Sequence, residues 1–373
     1  MNKYFTVDGF RRTSIEADDR IVERIRISWT EFTKEIVPYP NTSAGNGVVI
    51  CAGGARYYIC AWVLINVLRV KGCTLPIEIW YVENELSDFM VAEISKFGVD
   101  CRIVSGGSAN VRGFQIKPYA ILNSKFENVL YLDSDVIPVV DPSYLFDNSE
   151  FLNRGCIFWP DFWKTPSDNP IWKILNLNFT LSPEQESGQM LINKRECWKQ
   201  LNLAMYFNLQ HRIYYQLLYG DKDTFRFAWL ALGMSFYMVP YDPSLCGFTD
   251  SDGRFCGSTM VQYDLDGRML FLHRNLLKWD VTWPNERVWM QIKKFKTGTS
   301  IKEYYLKQSG KGRRNMDLGG EVETIEYIEG LSALEIECLN ILKAFRQTPL
   351  YAHILHRNYL ENNRSDFSMV DLE

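Results

Sequence analysis

Apolar and polar positions alternate along the chain in a strand–helix rhythm that begins near residue 46. Gly47–Ala52 (GVVICA) is a short apolar, β-branched run of the kind that fills a buried strand, and Gly53-Gly54 follows it directly. Tyr57–Lys71 then carries apolar residues at helical spacing, with Gly72 placed to close the helix. Pro76–Val82 (PIEIWYV) alternates as a strand, and Ser87 is placed to cap a helix that runs to Phe97. Cys101–Val104 predicts a third strand, Gly113–Ser124 another helix, and Asn128–Leu132 (NVLYL) a fourth strand. Strands joined by helical crossovers imply an α/β fold: a mostly parallel, Rossmann-like central sheet with helices on both faces. In such a sheet, ligands bind at the carboxyl ends of the strands. That rule singles out Ala52-Gly53-Gly54 and Asp133-Ser134-Asp135.

The flanking segments read differently. Residues 1–45 form a polar lead-in with a helix expected over Asp19–Phe32. Beyond residue 295 the chain turns basic and loop-like (KKFKTGTS, KQSGKGRRN) before a long helix. That helix is expected to open with the capping box Ser332-x-x-Glu335 and to run toward Arg346. The expected organisation is a lead-in over 1–45, a core domain over 46–295 and a C-terminal appendage over 296–373.

Composition narrows the function. A net charge of −4, from 41 basic and 45 acidic residues, lacks the excess of Lys and Arg that nucleic-acid binding draws on. No apolar run reaches the roughly 18 residues of a spanning helix, and the N-terminus has no signal-peptide pattern. A soluble, cytoplasmic protein is therefore expected. The nine cysteines are odd in number and scattered, which favours buried thiols over a disulfide framework.

Chemistry concentrates at Asp133-Ser134-Asp135. A strand that delivers two carboxylates two residues apart turns both to the same side, where they suit a hard divalent cation with positions left for phosphate oxygens. His273 ends the strand-like Met269–Leu272, which promotes it over His211, His353 and His356 as a third ligand. Polar clusters also stand at Glu186-Ser187-Gly188-Gln189, at Gly220-Asp221-Lys222-Asp223 and at Lys278-Trp279. Asp221 and Asp223 are read equally well as charges complementing a helix N-terminus.

The segments Val49–Tyr58, Cys73–Val82, Gly113–Asp147 and Phe158–Trp163 occur in this order, followed by Glu186–Lys194, Gly220–Trp229 and Phe271–Trp279. Together they resemble the α-mannosyltransferase family typified by fungal Golgi enzymes (glycosyltransferase family 71). The resemblance implies a GT-A-type, retaining glycosyltransferase that uses Mn²⁺ (or Mg²⁺) and a nucleotide sugar. GDP-mannose is the favoured donor, with a UDP-hexose left open, and the acceptor is a carbohydrate. It implies Asp133, Asp135 and His273 as metal ligands. Lys278 falls beside the diphosphate, Ser134 among the substrate-binding residues, Ala52, Gly53, Gly54 and Tyr58 at the nucleoside, and Lys117 near the donor. By order along the chain, Glu186, Gly188, Gln189, Asp221, Lys222 and Asp223 would enclose the donor sugar. Trp159, Asp161 and Trp163 would line the acceptor side, with core burial equally open for the tryptophans. Retention by front-face displacement, or through a covalent intermediate on Glu186 or Asp223, stays open. Two rival readings remain, a sugar nucleotidyltransferase and a non-catalytic sugar-binding protein.

Overall fold

The computed structural model describes residues 4–104, 111–280, 287–308, 314–326, 328 and 330–364. The alternating pattern produces a seven-stranded, mostly parallel sheet, as the sequence predicts. The chain divides into two compact units: Met1–Val49, Val104–Leu132 and Tyr144–Pro240 form one, and Ile50–Ile103, Asp133–Ser143 and Tyr241–Glu373 the other.

In the first unit Cys156–Lys164 lies between Tyr237–Met238, parallel to it, and Pro183–Asn193, antiparallel to it. Pro183–Asn193 also runs antiparallel to Asn128–Asp133, so it is the reversed strand. The lead-in helix spans Asp19–Glu35 and begins where the Asp18 carboxylate accepts from the amides of Arg20 and Ile21. It turns Val22, Ile25 and Trp29 inward, and the Trp29 indole donates to the Ile174 carbonyl. Ahead of it, Arg11–Arg12 pairs with Tyr4–Phe5 and sends Arg11 into the interior.

The second unit opens its first helix at Gly54, which has φ +73° and so needs a residue without a Cβ. This helix, Gly54–Val70, buries residues all round its circumference, so it must be covered on every side. Part of the cover is the C-terminal pair of helices, Leu331–Phe345 and Pro349–Arg364, together with the short strand Val136–Pro138. Trp62, for example, meets Phe345 edge to face at 5.1 Å. The appendage is thus part of this unit's core.

The same unit holds an eight-stranded sheet that the sequence pattern did not reveal. Its main path runs Lys302–Gln308, Arg314–Gly320, Phe255–Tyr263, Ser244–Thr249, Gln291–Phe295, Val322–Ile325, and Met269–His273 bridges Phe255–Tyr263 to Val136–Pro138. The basic segments expected as loops are strand only at their edges: Gln291–Phe295 takes in the start of the first, and Lys302–Gln308, antiparallel to Arg314–Gly320, takes in the ends of the second, whose middle lies outside the described residues. Ser332-x-x-Glu335 is not a capping box either. The helix is capped by Gly330 at φ +83° with no side-chain cap bond, and Ser332 and Glu335 both lie within it. Among the described residues, no helix is long and apolar enough to cross a membrane.

Candidate active site

In the second unit, backbone pairing brings the acidic motif to its histidine. Val136–Pro138 continues from Asp135 and pairs antiparallel with Met269–His273, in a register that sets His273 opposite Val136. The Arg274 amide then donates to the Asp135 carbonyl at 3.0 Å. As a result, His273 Nε2 stands 3.3 Å from Asp135 Oδ1 and 4.0 Å from Asp133 Oδ2. The Lys278 ammonium donates to the other Asp135 oxygen. Asp135 is buried, whereas the Asp133 side chain remains 27% exposed. Burial alone would raise the Asp135 carboxyl, but Lys278 and His273 outweigh it and hold the group well below the usual carboxylate range. Asp135 in turn keeps Lys278 firmly charged, its pKa raised although burial pulls the other way. Two carboxylates and an imidazole, with a fixed ammonium beside them, form a donor set that could hold a divalent cation. Ser134 is buried between the two aspartates.

The glycine segment nearby has close neighbours of its own. A Cβ added to Gly53 would come within 1.8 Å of the Glu85 carboxylate, and one on Gly54 would lie 3.2 Å from that of Glu361. Glu361 accepts from the Ala55 amide at 3.0 Å. Ala52 is buried and gives its amide to the Trp80 carbonyl. Tyr58 does not present its ring to a ligand: it is fully buried and its hydroxyl donates to the Met90 carbonyl at 2.9 Å. The next aromatic residue on the open side is Tyr57, 42% exposed, with the Lys278 ammonium 5.4 Å from its ring centre.

The first unit gathers most of the residues assigned to the donor sugar and the acceptor, in a buried web of charge. Lys222 donates to Asp161 and, at 2.7 Å, to Glu184. Arg11 clamps Glu184 from the other side, with both side chains fully buried. Arg226 holds both oxygens of Asp223 at 2.7 Å, and the Gln185 amide donates to the same carboxylate at 2.9 Å. Asp223 is thus fixed in place by Arg226 and the Gln185 amide. Lys117 is likewise engaged, donating to the Ser187 carbonyl at 3.0 Å and its hydroxyl at 2.8 Å, with Asp221 at 3.0 Å. Glu186 accepts from the Gly188 amide at 2.8 Å, and Gln189 pairs opposite Leu132 with its side chain fully enclosed. Trp159 and Trp163 are core residues. Asp161 is pushed up to about 6, chiefly by burial, which outweighs its pairing with Lys222. Glu184 is held below the usual range because Arg11 and Lys222 together overcome its own burial. Sequence reasoning missed Arg11 and Glu184. Their only local signal was an Arg pair in a polar lead-in and a Glu in a segment not yet recognised as a strand.

Comparison with known proteins supplies the family. The α-1,2-mannosyltransferase MNN21 of Candida albicans is 31% identical across 59% of this chain and 43% of its own length. The α-1,2-mannosyltransferase MNN2 of Saccharomyces cerevisiae is 26% identical across 63% of this chain and 48% of its own. The chain spans less than half the length of these two relatives. Among solved structures, the galactosyltransferase LgtC with donor and acceptor sugar analogues aligns with 51% of this chain and 72% of its own at 13% identity and TM-score 0.37, too distant a likeness to carry an argument. The Mannosyl_trans3 family of mannosyltransferases matches residues 45–184 and 176–264, well over half of the 373 residues. On that match, the chain belongs to this mannosyltransferase family.

Proposed function

We propose that this chain is a divalent-cation-dependent, retaining glycosyltransferase that moves a hexose, mannose by its family, from a nucleoside diphosphate sugar to a carbohydrate hydroxyl. The observation that carries the reading is the arrangement of Asp133, Asp135, His273 and Lys278, with the imidazole 3.3 Å and 4.0 Å from the two carboxylates. Asp133, Asp135 and His273 would hold Mn²⁺ or Mg²⁺. Bound there, the ion would neutralise a diphosphate and so make it a better leaving group. Lys278 adds a fixed positive charge beside the same place, oriented by Asp135 and unable to lose its proton near neutral pH. Arg274, through its amide to the Asp135 carbonyl, ties the two ligand-bearing strands together. GDP-mannose, an activated form of the sugar in the family's name, is the favoured donor, with a UDP-hexose left open, and Glu186 or Asp223 is the candidate nucleophile if transfer passes through a covalent intermediate.

The test is turnover of GDP-mannose with Mn²⁺ by the wild-type chain and by Asp135→Ala. Mannose transfer or donor hydrolysis by the wild type, lost in the variant, supports the reading. Near-normal turnover by Asp135→Ala removes the metal role. Release of pyrophosphate from GTP and mannose 1-phosphate would instead identify a nucleotidyltransferase.

A further inference from the structure

Glu335 lies in the C-terminal helix Leu331–Phe345, beyond the part of the chain that the family match covers, and is fully buried. Its carboxylate accepts from the Val288 amide at 2.7 Å and from the Trp289 amide at 3.1 Å. It also stands 3.5 Å from the guanidinium of Arg274, another fully buried charge. Arg274 is the residue after His273, and its own amide is bonded to the Asp135 carbonyl. Its guanidinium lies 4.0 Å from the ring centre of Trp279 and 5.8 Å from that of Trp289. None of its side-chain nitrogens has a hydrogen-bond acceptor among the described residues.

A buried guanidinium without hydrogen bonds is held by its counter-charge and by the aromatic faces around it. Among the described residues the counter-charge is the Glu335 carboxylate, which Arg287 also approaches at 3.8 Å, and the stacked indole of Trp279 is the residue after Lys278. The segment that presents His273 and Lys278 is thus gripped near both ends by one side chain, whose charge is answered by the C-terminal helix.

From this arrangement we infer that Glu335 is a positioning residue for the proposed metal and diphosphate site, acting through Arg274 to hold His273 and Lys278 against Asp135. The inference rests on the function proposed above. It gives residues 331–345 a part in the chemistry, beyond covering the apolar helix Gly54–Val70. Without the carboxylate, Arg274 has reason to leave its slot for water. Any such movement pulls on the strand end that sets the distance from His273 to Asp135.

The experiment compares Glu335→Gln with Leu342→Ala, a buried apolar change on the same helix that serves as a control for general loosening. Hydrogen–deuterium exchange across residues 273–279 is read first, since it needs neither metal nor substrate. Mn²⁺ affinity by electron paramagnetic resonance is read second. At matched loss of melting temperature, Glu335→Gln is expected to speed exchange in 273–279 and to weaken Mn²⁺ binding by about ten- to a hundredfold, as loss of an outer-layer partner does elsewhere. Leu342→Ala is expected to leave Mn²⁺ affinity unchanged. Equal exchange across 273–279 in the two variants overturns the positioning role. Faster exchange in Glu335→Gln, in a wild-type chain that binds no Mn²⁺, upholds the positioning and rejects the metal reading instead.

Discussion

The charges around Asp135 and those around Glu184 use the same residue types and end in different states. In the first unit Arg11, Glu184, Lys222, Asp161, Asp223 and Arg226 are buried, and each cation closes on a carboxylate. In the second unit Asp135 is buried and held by Lys278, while Asp133 keeps 27% of its side chain open to solvent beside His273. In a web of this kind each charge is met by another side chain. Its worth lies in fixing the chain, and breaking one member strands another. A carboxylate left partly in water next to a fixed imidazole retains coordination capacity. Acidic residues at element ends thus divide into two kinds, and side-chain partners separate them where residue type does not.

The largest effect expected from this contrast is on stability. Asp223→Ala would leave Arg226 buried without its bidentate partner, at about 3–5 kcal/mol. Chemical denaturation measures this, and a loss under about 1 kcal/mol would break the contrast. Asp135→Ala reverses the pattern: kcat/KM should fall on the order of a hundredfold or more, with a smaller loss of stability than Asp223→Ala. Steady-state kinetics and melting measured side by side would decide between them.

A pH experiment tests the web from within. The Asp161 carboxyl sits at about 6 in the folded chain, above the ordinary value of 3.8, so the folded state binds the extra proton. Its contribution to stability is therefore lost as pH rises through about 6. Glu184, depressed in the fold, acts in the opposite sense and mostly below pH 5, where the unfolded carboxyl takes up a proton. Between pH 5 and 7, Asp161 should cost about 1 kcal/mol, and Asp161→Asn should flatten the denaturation profile in that window. The smallest effect belongs to Tyr58→Phe. It should lose about 1 kcal/mol with the hydrogen bond to Met90 and leave nucleotide affinity, read by titration calorimetry, unchanged.

The amino-acid pattern carried the α/β rhythm because local periodicity determines it. Asn128–Asp133, Ile77–Val82 and the helix capped by Ser87 lie within a residue or two of expectation. Asp133 and Asp135 were legible for the same reason, since a strand end and a two-residue spacing are local facts. What brings His273 beside them is a pairing between residues more than a hundred positions apart, which no local window contains. The second sheet was missed because strands such as Arg314–Gly320 (RNMDLGG) and Lys302–Gln308 (KEYYLKQ) mix charge and glycine with a few apolar side chains. Glu335 fitted a capping signature by sequence yet serves the amides of Val288 and Trp289, and the partner of Asp223, Arg226, is one turn further along the same helix.

The antiparallel ladder between Val136–Pro138 and Met269–His273 has a consequence for how this chain tolerates change. Side chains alternate faces along a strand, so sliding one strand by a single position would replace the imidazole with Leu272 and turn His273 to the opposite face. Insertions and deletions in the connecting loops leave that alignment intact, whereas one inside either short strand shifts it by a whole step. Divergence in length should therefore accumulate between the two strands and be nearly forbidden within them.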